Sequence, residues 1–179
     1  MIWEIDPTHS TVEFTVKHMM VTTVKGRFKD VSGRIEVDDN NPLASSVTAT
    51  IQTASIDTGQ EQRDAHLRSA DFFDAAQYPT LTFTSKAIEQ LGDDHYKVIG
   101  DLTMHGVTRE VPLDVTFEGE IRDLQGKRRA SYSMTAAINR KDFGLNWNVA
   151  LESGGWLVSE TVKIAIEVEV IEAVPATVA

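Results

Sequence analysis

The sequence of 179 residues contains no cysteine. This absence excludes a disulfide framework, zinc sites with thiolate ligands, a cysteine nucleophile and a thiol redox motif. Long apolar runs are missing too, because no stretch approaches the roughly 20 apolar residues of a membrane-spanning helix. We therefore expect no stable insertion into a membrane.

Positive charge is scarce: 17 Lys and Arg residues stand against 27 Asp and Glu residues, for a formal net charge of -10. Nucleic-acid binding depends on basic surfaces that release counterions, so we expect no nucleic-acid partner. Anionic membrane surfaces are disfavoured for the same reason. The length predicts a single domain over residues 1–174, with a frayed tail over residues 175–179.

The first residues, Met1 to Asp6, enter a strand-like pattern directly. They show neither the basic segment nor the apolar segment of a secretory signal peptide. Taken as the native start, this pattern predicts a cytoplasmic protein. A processed form of a longer chain would instead be periplasmic or secreted.

The dominant pattern is an alternation of apolar and polar residues with period two, which is typical of strands with one buried face. The alternating runs lie at residues 10–18, 34–37, 47–56, 80–88, 96–104, 111–121, 129–138 and 162–170. Hairpin turns are predicted at Leu91-Gly92-Asp93-Asp94 and at His105-Gly106-Val107-Thr108. A single helix is predicted, over the segment from Gly59 to Ala76, with Asp57 or Thr58 as its N-cap.

Long strand runs with a single helix are unlike a doubly wound sheet, in which strands and helices alternate. Many runs are also longer than the usual strand of about five or six residues. Long antiparallel strands joined by hairpins tend to close on themselves, which removes exposed edges. We predict an all-β fold, an eight-stranded up-and-down antiparallel barrel with one short helix beside or over it. A barrel of this size holds side chains or one small ligand.

Motifs for catalysis and for binding metals or phosphates are missing. The sequence has no Gly-x-Ser-x-Gly nucleophile elbow and no glycine-rich phosphate loop. Its five histidines never stand two or four residues apart, so no metal-binding face is visible. We therefore predict no catalytic residue, no metal and no classical cofactor.

Three features of the sequence leave alternatives open. His18 stands on an apolar strand face and is either a hydrogen-bonded core residue or a polar group in a pocket. The segment 63–74 either plugs the barrel through its Leu and Phe residues or lines a mouth, and an acid–base function would pair His66 with Asp64 or Asp71. The aromatic segment 139–156 is either a packed lid or the apolar wall of a ligand entrance.

Several motifs, in one order along nearly the whole chain, resemble the YceI-like family of lipocalin-like proteins. These motifs are Asp6-Pro7-x-His9-Ser10, Ser55-Ile56-Asp57-Thr58, Arg63-Asp64-x-His66-Leu67-Arg68-Ser69-x-Asp71-Phe72-Phe73, Tyr78-Pro79-x-Leu81-x-Phe83-x-Ser85, Gly100-Asp101-Leu102-Thr103-Met104-His105-Gly106-Val107-Thr108-Arg109 and Arg140-x-Asp142-Phe143-Gly144.

The resemblance implies a barrel with a helix beside it, usually dimeric, and without established catalysis. It also implies a long apolar tunnel that binds polyisoprenoids or other long-chain lipids. We accordingly expect a soluble homodimer that holds a polyisoprenoid, an isoprenoid quinone or a fatty-acid-like lipid for transport, storage or protection. The alternatives are an enzyme that acts on an apolar substrate through His18 or His66, and a stress-related interaction protein with a filled barrel.

Candidate site residues follow from strand facing and aromatic clustering, not from the resemblance. The predicted ligand wall is Phe14, Val16, His18, Met20, Phe28, Phe83, Met104, Phe143, Trp147 and Trp156. The predicted polar mouth is Arg63, His66, Asn139 and Arg140.

Overall fold

The computed structural model of the chain describes residues 1–173, so the predicted tail at 175–179 lies outside the described residues. Within that range, 11 strands form a single antiparallel sheet. The strands are β1 Ile2–Ile5, β2 Thr11–His18, β3 Thr22–Phe28, β4 Val31–Glu36, β5 Ser46–Gln52, β6 Ile56–Asp57, β7 Thr80–Gln90, β8 His95–Met104, β9 Val107–Arg122, β10 Arg128–Asn139 and β11 Thr161–Glu172, and the α-helix, α1, is Glu61–Arg68.

The sheet closes on itself because β1 pairs with β11, with Trp3 opposite Glu172. Three of the barrel strands are interrupted, so that β1 continues into β2, β3 into β4, and β5 into β6. Counted in this way, the barrel has eight long strands, and each pairs with its neighbours along the chain. The predicted up-and-down barrel is confirmed.

The alternation seen in the sequence separates the two faces of the barrel wall. On β11, Val162, Ile164, Ile166 and Val168 face the interior, whereas Lys163, Ala165 and Glu167 between them are exposed. Successive side chains of a strand point to opposite faces, so apolar residues at every second position fill one side only. The same arrangement in the other strands makes the inside of the barrel apolar.

The barrel has two different ends. The helix end carries α1, the turns after β2 and β8, and the long segment 140–160 between β10 and β11. The opposite end carries the chain start and the connections 37–45, 91–94 and 123–127. At the opposite end, Trp3, Ala130 and Val170 form a small buried cluster that fills the interior.

The helix is shorter than the predicted range 59–76, because α1 ends at Arg68. Ser69 leaves the helical backbone, with ψ 171°, and its hydroxyl donates a hydrogen bond to the backbone oxygen of His66. Ser side chains compete for backbone groups in this way and favour helix ends. No helix among the described residues is long and apolar enough to cross a membrane.

The predicted N-caps, Asp57 and Thr58, are wrong. Gln60 occupies the N-cap position and makes no side-chain capping bond. The Asp57 carboxylate instead accepts a hydrogen bond from the backbone N–H of Gly59, and the Thr58 hydroxyl donates to the Asp64 carboxylate inside the helix. Both side chains are therefore engaged by the turn that leads into the helix.

β3 was not among the predicted runs, because Gly26 interrupts its apolar face. Gly26 lies opposite Phe14 in the β2–β3 pairing, and a Cβ at Gly26 would stand 2.2 Å from Phe14 Cζ. Gly100 on β8 makes the same space for Phe83, whose Cζ would lie 2.4 Å away. In both cases a phenylalanine ring covers a glycine on the neighbouring strand. A run that contains such a glycine loses its apolar periodicity.

The chain start is held at the barrel wall by charged side chains around Arg129. Its guanidinium donates to Asp6 at 3.0 Å and to Asp123 at 2.8 Å, and it also donates to Glu169. His9 hydrogen-bonds the Asp6 carboxylate and lowers its pKa, and the N–H of Thr8 and Arg129 act in the same direction. The positive charge among these acids is thus supplied by the chain itself.

The pKa values of Asp6 and His9 move in opposite directions, because each stabilises the charged form of the other. The lowered pKa of Asp6 contributes stability above about pH 4, and this contribution is lost as the pH falls through the folded-state value. The raised pKa of His9 contributes stability below about pH 6.5, and this contribution is lost as the pH rises. The network is therefore strongest between these limits.

We expect Asp6→Asn to lower the free energy of unfolding at pH 7 by about 2 kcal/mol, because hydrogen bonds to a buried carboxylate are lost. The difference from the unmodified chain should shrink as the pH falls below about 4, because the unfolded chain then takes up a proton at Asp6 while the folded chain, with its lowered pKa, does not. Urea unfolding at a series of pH values measures both effects. Asp93→Asn, the same charge change in the 91–94 connection, is the control and should have little effect. An equal loss in both variants would contradict the prediction.

The two glycines under phenylalanine rings should differ in their tolerance of a methyl group. At Gly26 the three atoms nearest to the added Cβ all belong to the ring of Phe14, whereas at Gly100 the backbone oxygen of Thr84 is among them, at 2.6 Å. Overpacking of this kind typically costs about 1–3 kcal/mol. We expect Gly100→Ala to destabilise the barrel more than Gly26→Ala, as measured by thermal unfolding. The reverse order would show that the ring positions are wrong.

Candidate ligand-binding site

The barrel encloses a long cavity of about 340 Å³. On β11 alone its wall extends from Val162 to Val168. Six residues of strand correspond to roughly 20 Å at about 3.3 Å per residue. The volume lies at the lower end of the range of about 300–1,000 Å³ for small-molecule sites. The space is therefore narrow for its length.

Apolar side chains from all eight long strands form most of the wall. The predicted wall residues that line the cavity are Phe14, Val16, His18, Phe28, Phe83, Met104 and Trp147. Wall residues that the sequence did not single out include Ile5, Val24, Ile35, Ala49, Ile51, Leu81, Leu102, Val111, Leu113, Met134, Leu145 and Leu157. Most of them continue the same alternation, so strand facing was a signal that could have found them.

Three predicted wall residues lie elsewhere. Met20 is 61% exposed and Trp156 is 50% exposed, both in loops at the helix end. Phe143 is only 1% exposed, but it packs in the core beside the cavity and not on its wall. All three residues lie in connections between strands, where the alternation of inward and outward side chains does not apply.

The helix end of the cavity is covered by α1 and the residues that follow it. Leu67, Phe72 and Phe73 line the cavity there. The ring of Phe73 packs edge-on against Phe28, with 5.9 Å between ring centroids. Both interpretations of the segment 63–74 therefore hold in part. The segment closes this end of the barrel, and it also forms part of the cavity wall.

Arg63 is fixed at this end by the turn before the helix. Its Nε donates to the Thr58 hydroxyl at 2.7 Å, and its Nη2 donates to the Thr58 backbone oxygen at 2.7 Å. The buried Asp64 accepts hydrogen bonds from the N–H and the hydroxyl of Thr58. Thr58 thus links the two charged side chains, and Arg63 lines the cavity.

His66 also lines the cavity and forms an acid–base pair with Asp71. Its Nε2 lies 2.9 Å from an Asp71 carboxylate oxygen. The imidazole packs edge-on against Trp147 and Phe72, with ring centroids 4.7 Å and 5.1 Å away. Within residues 1–173, the His66 ring makes no other hydrogen bond. The pair alone lacks a nucleophile.

Arg140 holds the segment 140–160 together. It is 3% exposed and donates to four backbone oxygens, those of Leu145, Trp147, Val158 and Ser159. Burial lowers its pKa. Its donors are directed to the backbone, so the structure gives Arg140 an organising position at the cavity wall.

Asn139 lies outside the cavity lining. Its side-chain oxygen accepts the N–H of Lys141 at 3.0 Å and thereby caps the short 3₁₀ turn Arg140–Phe143. His18 does line the cavity, and its ring makes no hydrogen bond within the described part of the chain. The arrangement fits a polar group in a pocket better than a hydrogen-bonded core residue.

The cavity combines a narrow apolar interior with polar side chains at one end. His18, Arg63 and His66 stand at the helix end, and the opposite end is filled by the cluster around Trp3. Such a site excludes water from most of its length, so it suits a slender apolar molecule with a polar group at one end.

Comparison with known sequences places this barrel among its relatives. A UPF0312 protein of Staphylococcus aureus (strain MSSA476) is 39% identical over 165 residues, which cover 92% of this chain and 94% of the relative. The crystal structure of Burkholderia cenocepacia BcnA is similar with a TM-score of 0.78 and 27% identity, covering 92% of this chain and 98% of BcnA.

A third similarity concerns the fold alone. A polyisoprenoid binding domain from Saccharophagus degradans, described as implicated in plant cell wall breakdown, has a TM-score of 0.70 and 21% identity, covering 96% of this chain and 98% of that domain. The sequence profile of the YceI-like domain matches residues 3–170. The chain therefore belongs to the YceI-like family.

Proposed function

We propose that this protein binds one long-chain apolar molecule, a polyisoprenoid, an isoprenoid quinone or a fatty-acid-like lipid, inside the barrel. The observation that carries the proposal is the apolar cavity of about 340 Å³. The name of the Saccharophagus degradans domain, which has the same fold, supports the polyisoprenoid class. Transport, storage or protection of the ligand would each use this site.

The apolar wall supplies enough free energy for such a ligand. Burial of one carbon contributes about 0.8 kcal/mol, so a five-carbon unit contributes about 4 kcal/mol. The free energy gained by burying a few such units exceeds the cost of the translational and rotational freedom lost on binding, which is about 4–15 kcal/mol. Selection then depends on the width and length of the cavity.

The polar end of the ligand would lie at the helix end. His18 and His66 line the cavity there beside Arg63, whereas Trp3 and Val170 fill the opposite end. A chain that enters with its apolar end first buries no polar atom against the apolar wall, and an unpaired polar atom there is unfavourable. The proposed orientation follows from this asymmetry.

The His66–Asp71 pair favours a second candidate function, an enzyme that acts on an apolar substrate. The pair stands at the cavity, with 2.9 Å between its nitrogen and oxygen. The expectation that the chain is not an enzyme stays a prediction, as do the homodimer and the cytoplasmic location. The third alternative required a filled barrel, which does not fit the cavity.

We expect Ala49→Phe to weaken binding of a long-chain ligand at least tenfold. Ala49 lines the cavity, and a phenylalanine there excludes several ligand carbons, each worth about 0.8 kcal/mol or fourfold in affinity. Native mass spectrometry of the purified protein, before and after solvent extraction, measures the bound lipid. Val16→Trp, on another strand, also fills the cavity and should weaken binding in the same way. It is included in case Ala49→Phe fails to fold.

Ala165→Phe is the matched control, because Ala165 is exposed on the outside of the barrel. It should bind as much lipid as the unmodified chain. No bound lipid in the unmodified protein, or an equal loss in all three variants, would overturn the proposed function. Turnover of a lipid ester that disappears in His66→Ala would favour the enzyme instead.

A further inference from the structure

The turn between β2 and β3 has an unfavourable sequence for its backbone. Met19 and Met20 have φ of 51° and 66°, both in the left-handed region. A turn with two such residues in succession strongly favours Asn and Gly, because a side chain crowds the backbone there. The N–H of Val21 closes the turn on the backbone oxygen of His18. Methionine at both positions therefore weakens the turn.

The same turn places apolar side chains in water. Val21 is 78% exposed, and both methionines are at least half exposed. Apolar residues that oppose the local backbone preference and remain at least half exposed contribute little to the stability of this fold. Residues of this kind tend to occur at functional sites.

A second apolar segment lies against this turn. Met19 donates its N–H to the backbone oxygen of Leu157 at 2.8 Å, and a Cβ on Gly155 would be 3.2 Å from Met20 Cγ. Val149 and Trp156, which belong to the same connection between β10 and β11 as Gly155 and Leu157, are also exposed. We call the exposed apolar surface formed by Met19, Met20, Val21, Val149 and Trp156 the apolar ridge.

The apolar ridge continues the cavity wall. His18 and Val158 form a β-bridge directly beneath it, and both line the cavity together with Leu157. A ligand that leaves the barrel at the helix end therefore passes close to the ridge. The other large exposed apolar side chains, among them Leu124, which is 108% exposed, lie elsewhere on the barrel.

We propose that the apolar ridge docks on the surface of a zwitterionic lipid bilayer. This proposal rests on the proposed function, because a long-chain ligand resides in bilayers and would then pass into the cavity without crossing water. Trp concentrates at the interface between lipid and water, and Met adapts to irregular apolar surfaces. Because the chain has a net charge of -10 and would be repelled by anionic lipids, we expect a bilayer whose lipids carry no net charge.

The test uses the variant Met19→Asn together with Met20→Gly, which installs the preferred turn sequence. The variant should unfold at a higher temperature than the unmodified chain and should bind phosphatidylcholine vesicles at least tenfold more weakly in flotation. Leu124→Asn, a comparable loss of exposed apolar surface at the opposite end, is the control and should float as the unmodified chain does. A structural function of the methionines would instead lower the unfolding temperature.

Two further measurements separate this proposal from the proposed function. Phosphatidylcholine brominated on its acyl chains should quench the fluorescence of the unmodified chain but not that of Trp156→Phe. Vesicles with one third phosphatidylglycerol should bind the unmodified chain more weakly than pure phosphatidylcholine does. Lipid content by native mass spectrometry should be unchanged in Leu124→Asn.

Failure of the unmodified chain to float, while lipid is still found in the barrel, would overturn the docking proposal alone. Flotation with an empty barrel would overturn the proposed function instead. Equal flotation of the unmodified chain and the turn variant, or tight binding of the ridge to a protein in place of vesicles, would also overturn the docking proposal.

Discussion

The pairing of β1 with β11 closes the sheet, and both the apolar interior and the cavity result from this closure. It turns a sheet with one apolar face into a closed barrel, so the apolar faces of the long strands point to one interior. Alternating side chains from eight long strands then surround an axis that they do not fill completely. The cavity is a direct consequence of closure.

The two ends of the barrel are closed by different interactions, and this difference gives the cavity its direction. At the opposite end, Trp3 and Val170 fill the interior, with the ion pairs of Arg129 outside them. At the helix end, closure depends on polar groups that are buried but hydrogen-bonded: Asp64 through Thr58, and Arg140 through backbone oxygens. Buried polar groups are tolerated when they are paired in this way. This end therefore combines closure with the polar groups of a binding site.

Much of the site was predictable wherever it is built from strands. Phe14, Val16 and Phe83 line the cavity as their strand positions indicated. Prediction failed in the connections: Met20 and Trp156 are exposed, and Phe143 lies in the core. Period two fixes the face of a strand residue, whereas a loop residue has no such rule and is placed by contacts with distant segments. The helix boundary failed for a related reason, because the Ser69 hydroxyl engages the backbone and ends α1.

The barrel class, the inward apolar faces and the YceI-like family were all predictable from the amino-acid sequence, because alternation and ordered motifs are local properties of the chain. Three features became visible only in the folded barrel: the interior stays partly empty, Arg140 is directed to backbone oxygens, and Met20 lies against Gly155 at the helix end. These features depend on the distance between strands and on contacts between segments far apart along the chain. The periodicity of a single strand contains no information about either the distance between strands or the contacts between distant segments.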